Sequence, residues 1–302
     1  MKNVNQIIEI EKYNEEFLAL YHSKSARRKR NFIKLRNSSF RDISRLTKKK
    51  ILAKTGDIKI KLNTIPRKDQ PLYCNFGKPL DNVKVAVYTC ITNGYDSPKT
   101  PLYLGNDTQY FLFTDSIEDN DEKIWKKQNI DCKIPIGEAN RFYKFHPDVF
   151  KDEFDFAIYV DGNVKVISDV TTLCSIARNS TIGIAMHRHH ARDCVYEEGK
   201  ACKYYKRGNI KVIENNLKKM ESEGFPSHFG LCEATVIVYD LKNPIAKKIS
   251  HEWWNMYNES KAKRDQIFFP YVLWKMGYRI EDVGNLGNDI WKNPKFILYG
   301  HD

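Results

Sequence analysis

The run Phe156-Ala-Ile-Tyr-Val160, closed at once by Asp161-Gly162-Asn163, constrains this chain more than any other stretch. A strand with one wet face alternates apolar and polar residues. An unbroken apolar run of this length belongs to a strand buried on both faces, the condition of a parallel sheet packed between helices. Four further segments read as strands: Val83–Tyr88, Tyr110–Thr114, Thr181–Met186 and Glu233–Tyr239. Helical stretches intervene around Ile213–Glu223, Ile245–Tyr257 and Gln266–Met276. Strands alternating with helices predict an α/β fold, with a Rossmann-type, mainly parallel sheet flanked by helices. Neither G-x-G-x-x-G nor G-x-x-x-x-G-K-[ST] occurs, which sets aside a dinucleotide fingerprint and a P-loop.

The net charge of +12 suggests a nucleic-acid partner until it is localised. Between Lys24 and Lys61 fifteen Lys/Arg stand against two acids, a balance of +13, so the remaining residues sum to −1. The basic character belongs to an arm, and nucleic acid is the weakest of its readings. Residues 1–22 pattern as an amphipathic helix, with Ile10, Tyr13, Phe17 and Leu20 at spacings of three and four. In the basic stretch, Arg27–Arg30 and Lys48–Lys50 bracket Phe32, Ile33, Leu35, Phe40, Ile43 and Leu46. Cations interleaved with apolar residues suit an anionic membrane surface. They suit equally a solvated arm packed on its own domain or on a partner subunit. A linker from Pro66 to Pro79 follows, so the expected organisation is a helical basic arm and linker over 1–80 and one domain over 81–302. No apolar run reaches the roughly 18 residues of a membrane helix, and the polar N-terminus does not read as a secretory signal. Seven cysteines without regular spacing argue for a reducing compartment, and the absence of C-x-x-C argues against structural zinc. Together these predict a cytoplasmic protein.

Ligands of open α/β sheets collect beyond the carboxyl ends of the strands, and four strand ends here carry polar clusters. Asn93, Tyr95 and Asp96 follow the first, Asp115 the second, Asp161 and Asn163 the third, and His187-Arg188-His189-His190 the fourth. Asp161 and the Asn163 amide oxygen are hard donors, suited to Mg²⁺ or Mn²⁺. Arg141 and Lys144, three apart on a predicted helix, would face the same way and could neutralise a diphosphate. Three near-adjacent histidines invite a zinc, iron or nickel reading, but H-x-H-H matches neither H-E-x-x-H nor zinc-finger spacing. Bonding to phosphate or sugar hydroxyls fits them equally. Asp265-Gln266 opens an apolar helical segment, where Asp also serves as an N-cap. Glu233, at the start of a strand, is a carboxylate that burial makes costly unless it is paired or functional.

Read in order, V-A-V-Y-T-C-I-T-N-G-Y-D, Y-F-L-F-T-D, R-F-Y-K-F-H-P, Y-V-D-G-N, H-x-x-R-D-C-V-Y-E-E and K-R-D-Q-I-F-F-P-Y-V-L-W-K resemble the TOD/MUCI glycosyltransferase-like family over roughly residues 83–280. That family occurs in bacterial surface-polysaccharide clusters and in plant cell-wall proteins. The resemblance implies a GT-A-like nucleotide-sugar transferase domain related to the retaining glycogenin and galactosyltransferase group. It implies that Asp161 and Asn163 stand where such enzymes keep a D-x-D pair for metal and diphosphate, with Asn replacing the second Asp. A neutral second ligand implies a weaker hold on the cation, to which His301 could add a nitrogen. Thr89, Asn93 and Asp115 would lie on the nucleoside side, with Arg141, Lys144 and Arg188 stabilising the leaving diphosphate. Asp265, Gln266 and Glu233 are the catalytic candidates near the anomeric carbon.

The expected reaction is transfer of a sugar from a nucleotide-sugar donor, such as a UDP-hexose, to a capsular or other cell-surface glycan acceptor, with retention. The protein would work at the inner face of the plasma membrane. Two other function classes stay open on the sequence: a metal-dependent hydrolase using His187, His189 and His190, and a non-catalytic scaffold acting through the basic arm.

Overall fold

The computed structural model describes residues 4–36, 40–63, 74–116 and 124–301. The first eight residues of the expected linker (66–73) therefore lie outside the described residues, and Cys74 enters as an isolated antiparallel bridge to Gly287. Three helices come first: α1 (Val4–Tyr21), α2 (Lys24–Arg36) and α3 (Phe40–Asn63). The body follows as β1 (Val85–Ile91), β2 (Thr108–Thr114), β3 (Trp125–Asn129), α4 (Ile136–Phe145), β4 (Phe156–Val160), β5 (Val164–Val166), α5 (Cys174–Arg178) and β6 (Ile184–Arg188). It continues with α6 (Val195–Tyr205), α7 (Ile210–Ser222), β7 (Cys232–Asp240), α8 (Pro244–Ser260), α9 (Phe268–Lys275), β8 (Gly284–Asn285) and β9 (Phe296–Leu298).

Seven strands form one sheet in the order β3-β2-β1-β4-β7-β6-β8, and β5 pairs with β9 in a small second sheet. Every neighbour pairing in the large sheet is parallel except those made by β7, which runs antiparallel to both β4 and β6. The α/β, mainly parallel sheet is thus present. The reason for the unbroken apolar runs is visible in how alternate residues part. Tyr88, Phe113, Tyr159, Met186 and Tyr239 pack to one face with helices α4 and α6 to α9, while Val87, Leu112, Ile158, Ala185 and Val238 pack to the other beneath α5, β5 and β9.

Because β7 is reversed, its first residues arrive at the edge where the parallel strands end. A β-bulge falls there: Met186 pairs with Ile237, but the next residue, His187, pairs with Glu233. Bulges re-aim side chains next to sites. Beside the bulge the β4 ladder continues one residue further, and the Thr235 carbonyl oxygen accepts the backbone N–H of Asp161 at 3.0 Å. The predicted histidine cluster is also redistributed, since His187 and Arg188 lie within β6 while His189 and His190 follow it.

The arm is fastened to the body at both ends. Inside α3, a Cβ at Gly56 would lie 2.8 Å from the Tyr205 ring of α6, so glycine permits the close approach. The Tyr205 hydroxyl donates to Asp57. On α1 the side facing the body carries buried Leu18 and Glu11, the latter paired with fully buried Lys295. The four apolar residues of the predicted amphipathic pattern, Ile10, Tyr13, Phe17 and Leu20, are exposed. No helix among the described residues is long and apolar enough to cross a membrane.

Candidate active site

A cleft of about 890 Å³ opens at the edge where β4 ends and β7 begins. Asp161 is delivered to it by the terminus of β4. Its Oδ1 accepts the Tyr159 hydroxyl at 3.0 Å and lies 3.5 Å from Lys144 Nζ, while among the described residues no hydrogen bond engages Oδ2. Gly162 makes the turn possible, because a Cβ there would come 2.9 Å from Ile91 Cγ1 and 3.4 Å from Asp96 Cβ. Asn163 donates its amide Nδ2 to Tyr299 O at 2.7 Å, while Tyr299 N returns a bond to Asn163 O at 2.9 Å. That exchange ties the turn to the C-terminal segment and fixes which edge of the amide carries oxygen. Asp96, packed against the same turn, accepts from His301 Nδ1 at 2.9 Å. Donation from Nδ1 to a carboxylate leaves the imidazole lone pair on Nε2, the usual preparation of a metal-binding histidine. Asp161, Asn163 and His301 line one cleft, and their donor set of carboxylate, amide oxygen and imidazole fits a divalent cation of the Mg²⁺ or Mn²⁺ kind.

Helix α4 places Arg141 and Lys144 on its cleft side, as their spacing requires. Both meet Asp265, with Lys144 Nζ at 3.1 Å and Arg141 Nε at 3.2 Å from Oδ2. Burial alone would raise the Asp265 carboxyl, but Lys144, Arg141 and Arg264 override it and hold the group ionised, far below the usual carboxylate range. Asp265 is further held by its backbone: its carbonyl accepts Trp253 Nε1 at 2.9 Å, and its Oδ1 accepts Gln266 N at 3.0 Å. Gln266 reaches across to β7, donating Nε2 to Cys232 O at 3.0 Å. Its Oε1 accepts Arg264 Nη2 at 2.6 Å.

Behind these lies a network that the sequence reading missed. Glu198 of α6 is buried between Arg192, whose Nε is 2.7 Å from Oε2, and Arg264, whose Nη2 is 2.8 Å from Oε1. Burial pushes this carboxyl up, yet the two guanidinium groups win and bring it down to about 2. Asp57, Ile60 and Lys61 of α3 also line the cleft, so the basic arm supplies one of its walls. The Arg264 pairing, 66 residues from Glu198, leaves no local signal, although the Glu-rich first turn of α6 marked the acids themselves.

The other predicted residues part company. Thr89 is buried inside β1, where its hydroxyl has no partner among the described residues, and Asn93 and Asp115 form an exposed clasp in which the Asn93 N–H bonds both carboxylate oxygens at 3.0–3.1 Å. None of the three lines the cleft. Arg188 is likewise outside it: its guanidinium donates to Ile280 O and Val283 O, both at 2.8 Å, and so pins the turn before β8. The three histidines do not converge. His187 is fully buried and contacts Asn293 at 2.9 Å, and burial lowers it to about 3. Ligand atoms of His189, His190 and Glu233 do lie within 4.8 Å of one another. The single lone pair of neutral His189, however, sits on Nδ1, which accepts the N–H groups of Ala191 and Arg192 at 3.1 and 3.0 Å. Arg192 Nη2 stands 3.3 Å from the other ring nitrogen. That set has no imidazole free on His189 for a cation, and the hydrolase reading of the trio loses its geometry.

The family model described as TOD1/MUCI70, glycosyltransferase-like domain matches residues 145–293. No curated protein sequence matches the chain. Among solved structures, the glycosyltransferase GlyE of Streptococcus pneumoniae TIGR4 is similar at 15% identity and a TM-score of 0.38, covering 66% of this chain and 44% of its own. The WbbM bifunctional glycosyltransferase is similar at 14% identity and a TM-score of 0.41, covering 69% and 40%. The galactosyltransferase LgtC, solved with donor and acceptor sugar analogues, is similar at 11% identity and a TM-score of 0.38, covering 63% and 70%. The chain thus spans less than half the length of the GlyE and WbbM chains.

Proposed function

We propose that this chain, carrying a TOD1/MUCI70 glycosyltransferase-like domain, transfers a hexose from a nucleotide-sugar donor, a UDP-hexose by preference, to a glycan acceptor. The observation that carries the reading is the meeting of Asp161, Asn163, Arg141, Lys144 and Asp265 in one cleft at the carboxyl edge of the sheet. Departure of a nucleoside diphosphate from an anomeric carbon builds negative charge on the leaving group and positive charge on the sugar. Asp161, Asn163 and His301 would hold a Mn²⁺ or Mg²⁺ ion, which when bound supplies Lewis-acid stabilisation of the diphosphate. Arg141 and Lys144 add fixed positive charge, and Asp265 keeps both oriented before the donor arrives. Gln266, neutral and anchored to both Cys232 and Arg264, is the polar group that would face the sugar. Retention of configuration and a capsular or cell-surface acceptor follow from the family resemblance. An inner-membrane location follows from the arm, where exposed Phe32, Ile33, Ile51 and Ile58 stand among cations.

Thermal unfolding with UDP, UDP-glucose and UDP-galactose, each with and without Mn²⁺, tests the reading. A ligand at 100 times its Kd stabilises by about 2.7 kcal/mol, a shift of several degrees in Tm for a chain of this size. The expected result is a shift enlarged by Mn²⁺ in the wild type, with the Mn²⁺ increment lost in Asp161→Ala. A panel without any shift overturns the donor assignment.

A further inference from the structure

The cleft holds one pair of groups that diphosphate binding does not use. Glu233, brought to the cleft by the reversal and bulge of β7, accepts from His190 Nδ1 at 2.5 Å and lies 3.4 Å from the His190 backbone N–H. The carboxylate is buried, whereas the imidazole is about half exposed to the cleft. A carboxylate that takes the Nδ1 proton fixes the ring and its tautomer and leaves Nε2 as the basic nitrogen. The position is equally specific. Cys232, one residue before Glu233, receives Gln266 Nε2, and Thr235, two residues after it, receives the Asp161 N–H. Two residues of strand span roughly 7 Å, so the pair stands between the anchors of Gln266 and Asp161, with the half-exposed ring lining the cleft.

We propose that His190 is the base that takes the proton of the acceptor hydroxyl and that Glu233 is its positioning residue. This rests on the transferase reading. The acceptor O–H proton passes to His190 Nε2 while the acceptor oxygen bonds the anomeric carbon. The bond from that carbon to the phosphate oxygen breaks, and its electron pair leaves with the nucleoside diphosphate. The proton is then lost to solvent from the exposed ring. The assignment holds for either stereochemical course, and it gives Glu233 a role other than direct contact with the sugar.

The groups facing His190 set the direction of its titration. The Glu233 hydrogen bond raises its pKa most, burial opposes this, Asp289 raises it and Arg192 lowers it. The stacked His189 ring, 4.8 Å away, is held down to about 3 chiefly by burial and is neutral. A base must be unprotonated, so turnover climbs with pH through the His190 pKa, and removing the Glu233 charge moves that climb to lower pH.

The test uses the full chain with UDP-glucose and UDP-galactose, Mn²⁺, and water or a simple methyl hexoside as acceptor, reading UDP release from pH 5 to 9. In parallel, the His190 ring is titrated by NMR, its signal assigned by loss in His190→Gln. The expected result is a loss of turnover of roughly 100-fold or more in His190→Gln with UDP affinity kept, and in Glu233→Gln an NMR pKa and a rate limb that both move to lower pH. Full turnover in His190→Gln, or a limb that stays while the NMR pKa moves, overturns the proposal alone. Absence of UDP release from the wild type with either donor overturns the transferase reading, and the base assignment falls with it.

Discussion

Glu198 faces two guanidinium groups inside the body, and neither Arg192 nor Arg264 has another carboxylate this close among the described residues. Its folded pKa of about 2 lies below the ordinary glutamate value of 4.5. A depressed carboxyl contributes stability that is present above the unfolded pKa and is lost as pH falls through the folded one. The acid limb of stability therefore carries on the order of 3 kcal/mol from this group between about pH 4.5 and 2. Glu198→Gln is expected to cost about 3–5 kcal/mol at pH 7, since two buried cations lose their counter-charge. It should also flatten the limb. Urea unfolding at pH 7, 5, 4 and 3 measures both effects, and an equal acid slope in the variant refutes the assignment. Legibility at this scale followed distance along the chain. Asp161 and Asn163 could be found because strand, turn and ligand are contiguous. Asp265 was marked as catalytic, but its lock between Arg141 and Lys144 spans 121 residues to Lys144 and could not be read. Arg188 was misplaced for the same reason, as the carbonyls it satisfies lie more than ninety residues away.

Helices α2 and α3 raise a question of exposure. Most apolar side chains of a docked helix turn inward, yet Phe32, Ile33, Ile51 and Ile58 are exposed beside Arg28, Lys29, Lys48, Lys50 and Lys54. Ile51, Lys54 and Ile58 lie on one face of α3, roughly opposite Gly56, which is applied to Tyr205. An anionic bilayer matches that surface in both charge and polarity, at about 1 kcal/mol per cation near the membrane. The full chain should therefore sediment with vesicles containing phosphatidylserine and not with phosphatidylcholine alone, and binding should weaken as salt rises. Reversing Arg28, Lys29, Lys50 and Lys54 to Glu should abolish sedimentation while leaving the UDP-induced Tm shift intact. Equal binding to neutral vesicles would rule the surface out. The interleaving of cations with apolar residues suggested helix in this stretch without separating α2 from α3, and apolar runs located the five principal strands. They missed β3, whose sequence Trp-Lys-Lys-Gln-Asn carries four exposed residues of five, and the two- and three-residue strands β5, β8 and β9. An edge strand with so little buried surface shows no apolar run, and pairing rather than pattern defines it.

At the scale of the molecule, the chain's two ends hold each other. Glu11 of α1 pairs with Lys295, 284 residues later, and Lys295 also donates to Asp169 O at 2.8 Å. Leu18 joins Ile167 and Ile297 in a small apolar cluster, and Asn14 donates to Pro294 O at 3.0 Å. The C-terminal segment clamped in this way is the one that pairs β9 with β5, receives Asn163 through Tyr299 and carries His301 into the cleft. An arm for which packing on its own domain was one of the readings open in sequence is thus fastened to the segment that carries His301. The energetics of the fastening can be dissected. Burial pushes the Glu11 carboxyl above its usual range in spite of Lys295, so desolvation outweighs the attraction. A pair of this kind contributes little net stability against an apolar replacement, but breaking it leaves a buried unpaired charge at about 3–5 kcal/mol. Glu11→Leu and Lys295→Met alone should each lower Tm by several degrees, and the double variant should recover to the wild-type value or above it. Independent, additive losses in the double variant would mean that the two residues do not meet, and α1 would then be free of the site. If the cycle closes as expected, loss of the clamp in either single variant should also weaken the Mn²⁺-dependent part of UDP binding, because His301 and Asn163 depend on the same segment.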